Sequence, residues 1–245
     1  MPRVSTLSDP REPRSVKRVG HKGADRIAPG NTIASFDAAL SAGVDMIEFD
    51  VLPHRETGEL HLAHDYEHLT DRGTLTLAQG LEHLASSPFV DVELDVDLKL
   101  PGYELEVLAA LRAHRLLDRA LISTQYRESL AVLHTAEPGA RLGWSVPKLR
   151  QDPFRNRLMW IPASLVVIGW RELLPVRAGR ALRARECTAM MAHWRLVTPR
   201  LVRAVSAAGG ELYAWTVDDV ARIARLEAMG VTGIITNDPR LFGVP

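Results

Sequence analysis

Cysteine is nearly missing from this chain: Cys187 is the only one in 245 residues, so no intramolecular disulfide framework exists and a reducing cytoplasm is the expected compartment. An excess of either charge is missing too. Thirty Lys and Arg balance thirty Asp and Glu, which removes any global argument for a nucleic-acid partner. No apolar run reaches the roughly 18 to 20 residues that cross a bilayer. Met1 to Arg18 carries Pro2, Pro10 and Pro13 but no apolar stretch, so residues 1–17 are expected to form a flexible N-terminal arm rather than a signal peptide. Long repeats and low-complexity tracts are also absent. What is there, 46% apolar and 24% charged, is ordinary globular composition, enough for one barrel-sized core over residues 18–245.

Two charged strands stand out. In Met46 to Val51, strand spacing sends Glu48 and Asp50 to one side and Ile47, Phe49 and Val51 to the other, which is a metal site in outline. In Val90 to Leu100, Asp91, Glu93, Asp95, Asp97 and Lys99 alternate with Val90, Val92, Leu94, Val96, Leu98 and Leu100. A face with this much charge must be wet, ion-paired or cation-filled, because isolated buried charges are very costly. In a chain without a membrane span it reads as the lining of an active site.

Short β-type runs alternate with segments of helical period along the whole chain, which predicts βα units around a parallel sheet. The remaining strands are expected at Arg18–Gly20, Leu60–His64, Ala120–Thr124, Leu142–Val146, Thr188–His193, Glu211–Val217 and Gly233–Thr236. Asn31 or Thr32 caps the first helix, and Thr198 followed by Pro199 opens a later one. Leu60–His64 follows its predecessor after a short turn containing Gly58 and reads as a hairpin return. Removing it leaves eight strands, the count of a (β/α)₈ TIM barrel, whose chemistry sits at the C-terminal strand ends. His21, Glu48, Asp50, His64, Asp97, Lys99 and Trp215 all fall at such ends. His54, His61, His68 and His83 have no comparable place and are read as surface or packing residues, while Ser123 to Gln125, His193 and Trp194 also close strands.

These residues come in a recognisable order. His21-Lys22-Gly23, Pro29-Gly30-Asn31-Thr32, Ile47-Glu48-Phe49-Asp50-Val51, His64-Asp65, Asp97-Leu98-Lys99, Trp215-Thr216-Val217 and Gly230 to Thr236 together resemble the glycerophosphodiester phosphodiesterase family from about Val19 to Pro239. The resemblance implies a TIM barrel of the phospholipase C-like phosphodiesterase type that holds one divalent cation, Mg²⁺ or Ca²⁺, on Glu48, Asp50 and Asp97. It further implies His21 and His64 as general acid and base, Lys99 and Lys22 on the substrate phosphate, and Trp215 as a pocket wall. The implied reaction cleaves a glycerophosphodiester to glycerol phosphate and an alcohol. Oxygen ligands suit either hard cation, and imidazole titrates near neutrality.

The chain departs from the common family pattern at several points. Lys22 stands in place of arginine, Gly30 in place of glutamate and Asp97 in place of glutamate, and His64 to Asp97 is too short for the usual insertion subdomain. Two other readings therefore stay open: a lysophospholipase D or sphingomyelinase D-like lipid phosphodiesterase, and a catalytically silent barrel that binds phosphate esters. The substrate is expected to be a small-molecule or lysolipid phosphodiester. Lys148 to Glu186 has two readings as well. With Trp160, Trp170 and many arginines around an apolar stretch, it fits either peripheral membrane contact through residues 158–170 or a pair of outer helices broken at Pro162 and Pro175.

Overall fold

The computed structural model describes residues 16–69, 73–147 and 160–243. Almost all of the expected N-terminal arm and residues 148–159 of the basic apolar segment lie outside the described residues. Among the described residues nine strands form: β1 Lys17–Gly20, β2 Met46–Pro53, β3 Leu60–His61, β4 Glu93–Leu98, β5 Ala120–Thr124, β6 Arg141–Val146, β7 Ala189–His193, β8 Glu211–Trp215 and β9 Gly233–Thr236. All but β3 pair in parallel, and β1 bonds to both β9 and β2, which closes an eight-stranded barrel. β3 is the expected hairpin return, antiparallel to β2 with Leu52 opposite His61. It ends three residues before His64.

Helices α1 Ile33–Ser41, α2 Leu77–Leu84, α3 Glu104–Ala113, α4 Arg127–Ala136, α5 Trp160–Arg183, α6 Pro199–Ala207 and α7 Val220–Met229 surround the barrel. Their starts follow from local chemistry. Thr32 and Thr76 each accept from the third helical N–H in a capping box, and Thr198 caps α6 with Pro199 in its first turn. The apolar sides of the strands, such as Leu94, Val96 and Leu98 on β4, pack outward against these helices in the main core.

Two expectations are corrected. β4 starts at Glu93 rather than Val90: Ser87–Phe89 forms a 3-10 turn and Val90 is 66% exposed, so the alternation that looked like strand continues into a turn. The segment expected to be broken at Pro162 and Pro175 is instead one helix, α5. Pro162 lies in its first turn, where no N–H is required. Pro175 does cost a hydrogen bond, yet burial of Leu174, Ala178, Ala181 and Leu182 along the same face holds the helix on the barrel. Between β3 and β4 the described residues contain α2 and the 3-10 turn and no subdomain.

Inside the barrel, character changes along the axis. At the N-terminal end Lys17, Glu93, Arg141 and Glu211, from alternate strands, form a ring of ion pairs at 2.6–3.9 Å. Above it Val19, Met46, Leu121, Ala189, Met191, Tyr213 and Ile235 make an apolar plug. Gly233 is required there, since a Cβ would lie 2.5 Å from the Tyr213 ring. The C-terminal end is acidic.

Candidate active site

Glu48 and Asp50 project from β2, and the β2–β4 register places Asp50 directly opposite Asp97 and Glu48 opposite Asp95. One carboxylate oxygen each from Glu48, Asp50 and Asp97 falls within a 4.8 Å cluster, with the first two residues buried. Three hard oxygen donors at this separation suit a cation of the Mg²⁺ or Ca²⁺ type. One observation favours that fit in particular: Asp97 Oδ1 is buried with no hydrogen-bond partner among the described residues, a costly condition that a bound ion removes.

The surroundings are unusually charged. Lys99 Nζ contacts Asp50 Oδ1 and lies 2.5 Å from Asp97 Oδ2, so it shares the floor with two of the three acids. Burial and the neighbouring Asp50 carboxylate push Glu48 well above the ordinary range, and burial with Asp50 raises Asp97. Asp50 goes the other way. Burial acts to raise it, but Lys99, His64, Lys22 and His21 together hold it well below its usual value. Beneath them burial pushes Asp95 up to about 7.

His21 follows β1 directly, and its ring is fixed from the far end of the chain. Asn237 Nδ2 donates to Asp218 Oδ2 at 2.6 Å and its backbone N–H donates to Asp218 Oδ1 at 2.9 Å, so the amide oxygen is the end that faces His21 Nδ1, 2.6 Å away. An amide oxygen only accepts. Nδ1 therefore carries the proton, and the Nε2 lone pair points toward the acids, 3.9 Å from Glu48 Oε2. Burial lowers His21 to about 4, with Asp50 opposing and Lys22 assisting the shift, so this imidazole is neutral at pH 7. His64 is different. It stands half exposed at the rim with Nδ1 3.2 Å from Asp65 Oδ2, and its charge acts on both Asp50 and Asp97.

The first loop is built around these groups. The Lys22 N–H donates to Glu48 Oε2, and Asn31, buried at positive φ, donates from Nδ2 to Asp50 Oδ2 while accepting the Asp50 N–H. Lys22 is itself in the left-handed region, and its Nζ lies 3.9 Å from Asp25 Oδ2. Gly30 donates its N–H to Asp25 Oδ1, and a Cβ at position 30 would sit 2.6 Å from that oxygen and 2.8 Å from Lys22 Cβ. Lys22 and Gly30 are thus one coupled departure, organised by Asp25. Trp215, at the end of β8, meets His193 edge-on at 5.2 Å between centroids.

The structure gathers Glu48, Asp50, Asp97, Lys99 and His21 tightly, with His64, Lys22 and Trp215 at the margin. Asn31, Asp218 and Asn237 were not singled out as site residues from the sequence. The signal was available: Asp218 and Asn237 follow strand ends, the rule that identified Trp215.

Comparisons with known proteins bear on the family and the fold. The model of the glycerophosphoryl diester phosphodiesterase family matches residues 21–85 and 145–241. Asp97 and Lys99 lie in the unmatched stretch between, and it is the β2–β4 pairing that brings them to the site. A glycerophosphodiester phosphodiesterase of Caldanaerobacter subterraneus is 24% identical over 90% of this chain and 93% of its own length. Among solved structures, a glycerophosphodiester phosphodiesterase from Parabacteroides distasonis aligns with a TM-score of 0.69 at 18% identity, covering 92% of this chain and 94% of the other. An Oleispira antarctica phosphodiesterase in complex with the product sn-glycerol-3-phosphate aligns with a TM-score of 0.67 at 20% identity, covering 92% and 94%. With its family model matched on both halves of a closed (β/α)₈ barrel, this chain belongs to the glycerophosphoryl diester phosphodiesterase family.

Proposed function

We propose that the chain hydrolyses glycerophosphodiesters to glycerol phosphate and an alcohol, with His21 as general base and His64 as general acid. The observation that carries this reading is the convergence of Glu48, Asp50 and Asp97 beside an imidazole whose free lone pair faces them. Glu48, Asp50 and Asp97 would hold one divalent cation, Mg²⁺ or Ca²⁺, which supplies charge withdrawal from a phosphoryl oxygen when bound. His21, neutral and oriented by Asn237, accepts at Nε2 the proton of the substrate's own neighbouring hydroxyl as that oxygen attacks phosphorus. His64, open to solvent and paired with Asp65, delivers a proton to the leaving alkoxide, and water then opens the cyclic phosphate to glycerol phosphate. Lys99 and Lys22 place positive charge where the phosphate enters, and Trp215 supplies an apolar wall.

A cytoplasmic location with peripheral lipid contact through residues 158–170 belongs to the same reading. Two features support it: no described helix is long and apolar enough to cross a membrane, and Val166 and Ile168 of α5 are exposed. A product-resolved screen of glycerophosphodiesters and lysophospholipids, with Mg²⁺ or Ca²⁺ present, tests the proposal. Release of glycerol phosphate from glycerophosphocholine supports it. Headgroup release from lysophosphatidylcholine alone would favour the lysophospholipase D reading, and binding without turnover the silent barrel.

A further inference from the structure

On the outside of the barrel α3 packs on α4 and α5 packs on α6, whereas α4 and α5 stand apart around a cleft of about 410 Å³. Its lining is Arg127 of α4, Trp144 of β6 and Val176, Arg177, Arg180 and Ala181 of α5. The mouth of the barrel is a separate place, since Trp144 belongs to the outer core. Among the described residues the lining holds three arginines and no acid. Glu186 beside it pairs with Arg127, whose guanidinium is held 5.2 Å from the Trp144 ring centroid.

The apolar floor does not stop at the cleft. Leu173 and Val176 are more than half exposed on α5, and Val166 continues the same stripe at helical spacing, with Arg171, Arg177, Arg180 and Arg183 on the helix. Guanidinium forks match phosphate oxygens, an indole and aliphatic side chains accept an acyl chain, and the cleft has the size of a small-ligand site. Charge and apolarity together select an amphiphile. Arginines beside exposed aliphatic residues on one helix are the arrangement that binds an anionic bilayer surface.

We propose that the α4–α5 cleft is a second binding site, which holds the phosphate of an acidic phospholipid on Arg127, Arg177 and Arg180 while its chain lies along Trp144, Val176 and Leu173 at a membrane surface. It extends the lipid contact proposed above to a defined pocket, and it is independent of whether the barrel mouth hydrolyses a diester.

The test is co-sedimentation of the full chain with phosphatidylcholine vesicles with and without phosphatidylglycerol, alongside bromine-labelled acyl chains that quench nearby tryptophan. Binding is expected only with the anionic lipid, reduced about 25-fold in Arg177→Gln/Arg180→Gln, fivefold for each arginine, and unchanged in Arg225→Gln on α7. Trp144→Phe should remove a component of the bromine quenching. Hydrolysis of water-soluble glycerophosphocholine should be unchanged in the double variant, which separates this site from the catalytic one. Equal binding to neutral vesicles, undiminished binding by the double variant, or Trp144 left unquenched would overturn the proposal. So would saturation by inorganic phosphate without vesicle binding, which would mark a site for free anions. The parent protein on cationic vesicles gives a check that needs no variant: stronger binding there contradicts the assignment.

Discussion

The two ends of the barrel carry similar numbers of charges and use them differently. At the N-terminal end two cations and two anions alternate in a ring, each 27–31% exposed and each with a partner. At the C-terminal end Glu48, Asp50, Asp95 and Asp97 crowd around Lys99, deeper and short of positive charge. A balanced ring satisfies itself. An unbalanced, buried cluster leaves carboxylates raised in pKa and oxygens without partners among the described residues, a condition met at sites that bind something.

Breaking the chemistry should have the largest effect. His21→Ala and His64→Ala are each expected to lower kcat by about 10²–10⁴-fold while circular dichroism stays that of the parent. Turnover surviving both changes would detach function from the acidic end. Asn237→Leu should lower kcat with little change in KM, and the ¹⁵N shifts of His21 should show the Nδ1–H tautomer giving way to a mixture.

The stability contrast comes next. Arg141→Met leaves Glu93 and Glu211 to share Lys17 alone, and the expected loss is about 1–3 kcal/mol, below the value for a fully buried pair because the ring is partly wet. Asp97→Asn should do the reverse in the metal-free protein, raising the melting temperature while abolishing activity, since it removes one of several crowded carboxylates. Destabilisation by both would erase the difference between the two ends.

The pH responses should also oppose each other. Asp95 titrates near 7 in the fold and 3.8 unfolded, so its contribution is fully present below pH 4 and is lost as pH rises through 7, up to the order of 4 kcal/mol. Glu93 is held below its usual value despite burial, by Lys17 and Arg141, so its contribution is present above pH 4.5 and lost on acidification. Denaturation across pH 4 to 8 should show a flatter profile for Asp95→Asn than for the parent. An identical slope would remove the assignment. The smallest effect is expected for Arg112→Ala, whose half-exposed pair with Glu137 is worth about 0–1 kcal/mol.

Much of the barrel was legible because strand period and helix caps are local signals. Ala120–Thr124 and Gly233–Thr236 form with the expected bounds, while the start of β4 was misplaced because alternation alone does not distinguish strand from a following or preceding turn. The acids were legible for the same reason, as period-2 charges on otherwise apolar strands. Asn237 follows a strand end and so sits at a position the sequence marks, but its partnership with His21 was not legible, because it depends on β1 pairing with β9, which joins residues 216 positions apart. Nor does sequence show that Gly30 is demanded by Asp25 and Lys22, since that requires the backbone path of the first loop.

Calorimetric titration of the metal-free chain at pH 7 with Mg²⁺ or Ca²⁺ tests the central claim most directly. One ion per chain, with binding lost in both Glu48→Gln and Asp97→Asn, is the predicted result. No binding, or binding undiminished in those variants, would contradict it.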